Sequence, residues 1–247
     1  MKLRNKSYRS KIKIHFIQQD SWVKPGEYLA WAERHGYEVS FTKCWLYEAV
    51  PEVVDADMLV VLGGHQSPAT TKTECGYFDA EAEKALIRNC VDSGIMVIGV
   101  CLGAQLVSEA LGATYSHSPE REIGPVKARL TDAGKSDPFF ASFPDTFLAG
   151  EWHNDMPGLT EDSTIIAESD GCPRQIVRYG KYVYGFQTHM EFTNDIIAAG
   201  VKEAGDSLKS GGQFVQTPEQ LLAFDYTEMN ALLANFLEML AEDYAHP

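Results

Sequence analysis

Apolar residues in the first hundred positions fall into short runs at 12–17, 38–41, 58–62 and 95–100. Each run is apolar throughout or alternates with polar residues, and each is too short to be a helix, so they predict strands. The stretches between them have helical character. In residues 74–92, ECGYFDAEAEKALIRNCVD, the side chains of Phe78, Ala82, Ala85, Leu86 and Cys90 share a helical face, and Gly94 ends the pattern before the next run. Strands and helices alternating in this way predict β-α-β units: a parallel sheet with crossover helices packed on it.

After Gly112 the texture changes. Short β-rich pieces at 126–130, 146–149, 165–168, 175–179 and 182–187 are separated by turn residues, which predicts an antiparallel extension of the sheet. Two helices are expected to close the chain, near 194–208 and 218–244, the second with Leu222, Met229, Leu232, Leu233, Phe236, Leu237 and Leu240 as its apolar positions. The sequence has no internal repeat and no low-complexity linker. With 247 residues, 45% of them hydrophobic, it can bury one sizeable core, so residues 1–247 are expected to form a single α/β domain.

Charge and cysteine usage narrow the function classes. Residues 1–19 carry six basic and no acidic side chains, and the other 228 residues hold 15 basic against 35 acidic, a net of about −20. Such a surface repels nucleic acid and anionic membrane, and residues 1–11 are expected to be a solvated basic tail. No apolar stretch approaches the ~20 residues that span a bilayer, and the first residues show no apolar core flanked by a cleavage site, so an unsecreted protein is expected. The five cysteines, Cys44, Cys75, Cys90, Cys101 and Cys172, are odd in number and form no C-x-x-C pair. They are expected to be reduced thiols in a soluble cytoplasmic protein, with no metal site among them.

The most specific chemical signal is Gly99-Val100-Cys101-Leu102-Gly103-Ala104-Gln105, which follows the apolar run ending at Val100 and opens a helical pattern. A sharp strand-to-helix turn holds its central residue strained and exposed, and needs small neighbours two residues to either side. Gly99 and Gly103 supply them. The turn places the Cys101 thiol at a helix N-terminus, where thiolate is favoured, and turns the Leu102 N–H towards a developing oxyanion. A buried structural cysteine in a Gly-rich turn is the other reading of these residues.

A nucleophile needs a base. In Gly185-Phe186-Gln187-Thr188-His189-Met190-Glu191, an extended backbone puts His189 and Glu191 on the same side, so the carboxylate can fix the imidazole tautomer while the other ring nitrogen faces Cys101. Alone, His-x-Glu is a weak pattern that surface pairs also satisfy. Its weight comes from occurring with the elbow.

Together these residues resemble the class I glutamine amidotransferases, whose nucleophile lies in a G-x-C-x-G-x-Q elbow and whose His and Glu follow downstream as H-x-E. Leu62-Gly63-Gly64 stands where that family has its Gly-rich oxyanion loop. Glu151-Trp152-His153-Asn154-Asp155 and the segment 169–175 are similar to the free-standing group related to the GMP synthetase amidase domain. The resemblance spans roughly residues 55–200. It implies a flavodoxin-like open sheet, mostly parallel, with helices on both faces, and it implies a Cys101-His189-Glu191 triad. It further implies an oxyanion hole from the N–H groups of Gly64 and Leu102, a glutamine pocket shaped by Gln105, and a place for His153 near the pocket mouth in contact with substrate, a hydrogen-bonded structural histidine being the other reading of that position.

Two positions depart from the family pattern: its H-P-E is His189-Met190-Glu191 here, and the Pro after its Gly pair is His65. Neither removes a catalytic group. The implied reaction is attack of the Cys101 thiolate on the side-chain amide of glutamine or a γ-glutamyl compound, giving a thioester that water hydrolyses, with no metal or organic cofactor. Amidotransferases deliver ammonia to a synthetase, and no synthetase sequence is recognisable in these residues. Ser210-Gly211-Gly212-Gln213-Phe214 matches the start of a pyrophosphate-binding S-G-G-x-D-S loop only up to Phe214, which replaces its Asp. The sequence is thus read as a self-sufficient hydrolase, with an amidase subunit for a separate synthetase, or a non-catalytic regulatory module on the same fold, as the alternatives.

Overall fold

The computed structural model describes residues 11–205, 208 and 211–246. Of the basic tail expected at 1–11, all but Lys11 lies outside the described residues, as does Ser210. Four strands, β1 (Lys13–Gln18), β2 (Glu38–Lys43), β3 (Met58–Val61) and β4 (Met96–Val100), pair in parallel in the order β2-β1-β3-β4 and coincide with the four apolar runs. β3 and β4 are buried along their whole length because helices cover both faces of the sheet. The pleat sorts their side chains. Met58 and Val60 join the cluster built on Tyr28 and Trp31 of α1 (Glu27–Arg34), and Leu59 and Val61 join the one built on Leu86 of α2 (Ala80–Asp92) and Leu106 of α3 (Leu102–Ala110). Helix α2 starts later than its sequence pattern, at Asp79, whose carboxylate caps it by accepting from the Ala82 N–H.

The second half is the antiparallel extension. Strands β5 (Ser116–Leu130), β6 (Thr146–Met156) and β7 (Thr164–Ser169) contain the pieces expected there, and β8 (Ile176–Gly180) and β9 (Val183–Phe186) overlap theirs to within one residue at each end. β9 runs parallel to β4 and antiparallel to β8, so it joins the two halves into one sheet, with the short β10 (Phe214–Val215) at its far edge. β5 and β6 form a long arm, much longer than their apolar segments, because the added residues are polar and hide the strand period. Phe214 pairs with Glu122 of β5 in β10.

A short helix α4 (Asp132–Lys135) follows β5, and α5 (Asn194–Ala204) follows β9, capped by the Thr193 side chain. The last predicted helix is divided into α6 (Pro218–Ala223) and α7 (Thr227–Ala245), with Phe224 extended between them. Leu222 therefore leaves the apolar face to which its spacing assigned it and is 43% exposed. Helix α7 places Leu233, Phe236, Leu237 and Leu240 over the same face as α1. No helix of the described residues is long and apolar enough to cross a membrane.

Candidate active site

Cys101 lies between β4 and α3 with φ 52° and ψ −109°, a left-handed backbone that apart from glycines only Tyr47 shares among the described residues. Its N–H donates to the Phe186 carbonyl at 2.7 Å, which ties the turn to β9. Both flanking glycines are required by close backbone approach. A Cβ on Gly99 would meet the Gly103 carbonyl oxygen at 2.3 Å, and one on Gly103 would meet the Val61 oxygen at 2.0 Å.

His189 and Glu191 do not lie on a strand, since β9 ends at Phe186 and the chain turns. They converge all the same: His189 Nδ1 is 2.7 Å from Glu191 Oε1, the ring lies beside Cys101 across Gly63, and the Cys101 thiol itself donates to the Trp152 carbonyl at 3.9 Å. The turn is held from three directions. The His189 N–H donates to the Gly150 carbonyl of β6 at 2.7 Å, Asn230 of α7 donates its amide to the Met190 and Phe192 carbonyls at 2.8 and 3.0 Å, and Phe192 stacks on the His189 ring at 4.2 Å and 8°. Met190, in the position of the family's Pro, is wholly buried in the core, so packing and the Asn230 clamp fix the turn that a ring would otherwise stiffen. Burial alone would depress the His189 imidazole, but the Glu191 charge and hydrogen bond and the neighbouring Cys101 win, and its pKa is pushed up to about 10.

The Gly63-Gly64-His65 loop is fixed by Asp20. Its carboxylate accepts from the Tyr77 hydroxyl at 2.7 Å and from the His65 N–H at 3.3 Å, and lies 2.9 Å from His65 Nδ1. His65 therefore tethers the loop, and with its ring exposed it also lines the cavity around Cys101. Gly64, Leu102 and Gln105 line one cavity of about 530 Å³ with Cys101, His153, His189 and Glu191. The Gln105 amide donates to Gln187 Oε1 at 3.1 Å. First-turn N–H groups have no intrahelical acceptor, so Leu102, which opens α3, keeps its donor available.

His153 lines the cavity from a buried position. Its ring is almost wholly buried, with Nε2 3.1 Å from Glu151 Oε2 and 3.2 Å from Glu122 Oε2, close to both but aligned as a hydrogen bond with neither. Burial works to lower its pKa, but the two carboxylates outweigh that and raise it to about 9. The sequence reading missed both acids. Glu151 was reachable by the two-residue strand period from His153, whereas nothing in the sequence points to Glu122, which comes from the facing strand β5. Glu122, His153 and Cys172 bring donor atoms within 4.8 Å of one another and are the group of the described residues that could hold a metal ion by donor type. The Glu122 oxygens are already engaged by Ser169 at 2.7 Å and Gln175 at 2.5 Å, and burial pushes the Cys172 thiol up to about 12, which suits packing.

The profile of the family described as Glutamine amidotransferase class-I matches residues 15–197. The chain is 47% identical over 232 residues to the glutamine amidotransferase-like protein YfeJ of Salmonella typhimurium, covering 93% of this chain and 97% of that one. It is 30% identical over 152 residues to one subunit of the glutamine-hydrolysing GMP synthase of Picrophilus torridus, covering 59% of this chain and 76% of that one. Among solved structures, SMU.1228c superposes with a TM-score of 0.91 at 45% identity, covering 93% of this chain and 100% of that one.

Proposed function

The chain belongs to the class I glutamine amidotransferase family, and from that premise we propose that it hydrolyses the side-chain amide of glutamine or of a γ-glutamyl compound. The observation that carries this reading is that Cys101, on its strained turn, and the hydrogen-bonded His189–Glu191 pair line one cavity. In the proposed cycle the Cys101 thiolate, paired with the His189 imidazolium, attacks the amide carbon while the Gly64 and Leu102 N–H groups receive the oxyanion. His189 gives its proton to the departing nitrogen, the C–N bond breaks, and a γ-glutamyl thioester remains. Water, deprotonated by His189, then cleaves the thioester to glutamate and restores the thiol. Glu191 keeps the ring oriented throughout. Gln105 shapes the pocket wall, and His153 supports it from beneath.

The similarity to a GMP synthase subunit favours a second reading, in which the ammonia passes to a separate synthetase. The two readings differ in what the isolated protein does. Glutamate release from glutamine and γ-glutamyl peptides with kcat/KM at or above the ~10⁴ M⁻¹s⁻¹ usual for enzymes supports independent hydrolysis, and values below ~10² M⁻¹s⁻¹ throughout support the partner-dependent form. A glutamine-like electrophile is expected to label Cys101 ahead of the other four cysteines, and Cys101→Ala to abolish release with the fold intact. Even labelling of all five thiols would remove Cys101 from the mechanism.

A further inference from the structure

The direction of proton transfer fixes where a substituent on the departing nitrogen lies. His189 protonates that nitrogen, so whatever the nitrogen carries extends on the His189 side of the cavity. From His189 the wall continues through Phe192, stacked on the imidazole, and then along Ile196, Gly200 and Ala204, which recur at four-residue spacing on one face of α5 and line the same cavity. Trp22 and Trp152 line it too and flank this face. A Cβ built on Gly200 would lie 3.4 Å from two atoms of the Trp152 ring and 3.7 Å from Trp22 Cζ3, so Gly200 faces the two indoles. Both indoles are only partly buried.

Glycine inside a helix costs stability relative to alanine, and at Gly200 an alanine Cβ would be in ordinary contact. Backbone geometry does not demand glycine here; its missing side chain lets the two indoles seat against α5, where they form part of the cavity wall. The cavity, at about 530 Å³, falls in the ~300–1,000 Å³ range of pockets that enclose drug-sized ligands, well above what glutamine fills. Aromatic walls favour flat apolar groups, which stack on them.

We propose that the α5 face with Trp22 and Trp152 is a subsite for an apolar, planar substituent on the leaving nitrogen, and that the preferred substrates are γ-glutamyl amides of aromatic or arylalkyl amines. This rests on the amidase reading above. As the sulfur–carbon bond forms, the C–N bond breaks and the His189 proton goes to the nitrogen, so the first product is the free arylalkylamine. One water then releases glutamate.

The test compares glutamine, γ-glutamyl methylamide and γ-glutamyl 2-phenylethylamide, by kcat/KM on the intact chain and by Kd on Cys101→Ala. The phenylethylamide is expected to exceed glutamine at least tenfold in both, the scale on which hydrophobic pockets discriminate. Gly200→Leu, whose side chain pushes the indoles off α5 and reshapes that wall, is expected to cut that ratio at least fivefold. Trp22→Ala, at a partly exposed position, makes the same test should Gly200→Leu fail to fold. Turnover of glutamine with no preference for the phenylethylamide overturns the subsite and leaves the amidase reading standing. A Kd preference abolished by either variant, without turnover of any amide, supports the subsite and sinks the hydrolase reading. Absence of both preference and turnover overturns the two together.

Discussion

Gly103 at the start of α3 lies so close to Val61 of β3 that a Cβ there would come within 2.0 Å of the Val61 carbonyl oxygen. The approach seats the helix that carries the elbow directly on the neighbouring strand, so the position of Cys101 depends on an absent methyl group. In Gly103→Ala two effects oppose each other: helix propensity gains ~1 kcal/mol, and the backbone clash forces strand and helix apart. The clash is expected to win, for a net loss of about 1–3 kcal/mol in urea unfolding, with kcat falling in the fraction that folds. Gly76→Ala is the control, since the nearest atom to its Cβ is 3.8 Å away, and its effect is expected within ~0.5 kcal/mol. Equal stability of the two variants would contradict the packing argument.

Glu191 is the strongest force raising the His189 pKa against the effect of burial. Glu191→Gln removes that charge, so the imidazolium gives up its proton at lower pH and the alkaline limb of the kcat/KM profile moves down from about 10. Activity is expected to fall less than in His189→Ala, which loses the proton carrier and with it roughly 10²–10⁴-fold in rate. The stability sign is fixed by the same shift. A histidine raised from 6.5 to about 10 stabilises the fold fully below pH 6.5, and that contribution is lost as pH rises through about 10. An unmoved alkaline limb in Glu191→Gln would show that the carboxylate does not govern the ring.

The centre of the parallel half was legible because β3 and β4 are buried on both faces and so read as plain apolar runs, as at Met58–Val61, and the edge strand β2 was legible by its alternation. The elbow was legible because its steric demands admit only glycine at positions 99 and 103. The β5–β6 arm was less so, since Glu122, Glu151 and His153 are polar residues on buried strand faces that contradict the usual pattern and are reconciled only by one another. Contacts across the chain left no local signal at all. Asn230 is about forty residues from the turn it clamps, and Asp20 reaches His65 and Tyr77 from the end of β1. Spacing rules see only neighbours along the sequence.

Asn230 donates to the carbonyls on either side of Glu191 and touches no substrate-facing atom, so it is a positioning residue. Asn230→Asp keeps the shape and loses both donors. It is expected to lower kcat about tenfold or more while KM changes little, because a displaced His189–Glu191 pair weakens proton transfer more than binding. Asn230→Ser, retaining one shorter donor, is expected to fall between. A variant that melts earlier yet keeps wild-type kcat would reduce Asn230 to a structural role.

His153 holds two buried carboxylates together. Without its charge, Glu122 and Glu151 face each other out of water, and one must take up a proton or the arm must open. His153→Gln is therefore expected to destabilise the fold by about 3–5 kcal/mol near neutral pH, the usual cost of breaking a buried ion pair from one side. Pairing it with Glu151→Gln removes one of the opposed charges and is expected to recover part of that loss. The pH dependence follows from the direction of the shift: raised from 6.5 to about 9, His153 contributes fully below pH 6.5 and loses its contribution as pH climbs through about 9. Burial also raises the Glu151 pKa, which adds to the loss in the same direction as the carboxyl ionises. Urea unfolding at pH 6, 7.5 and 9 reads the His153 effect, with wild-type stability declining across the series and the double variant declining less. A His153→Gln protein within ~0.5 kcal/mol of wild type, with an unchanged slope against pH, would mean that the two acids are not held by the imidazolium.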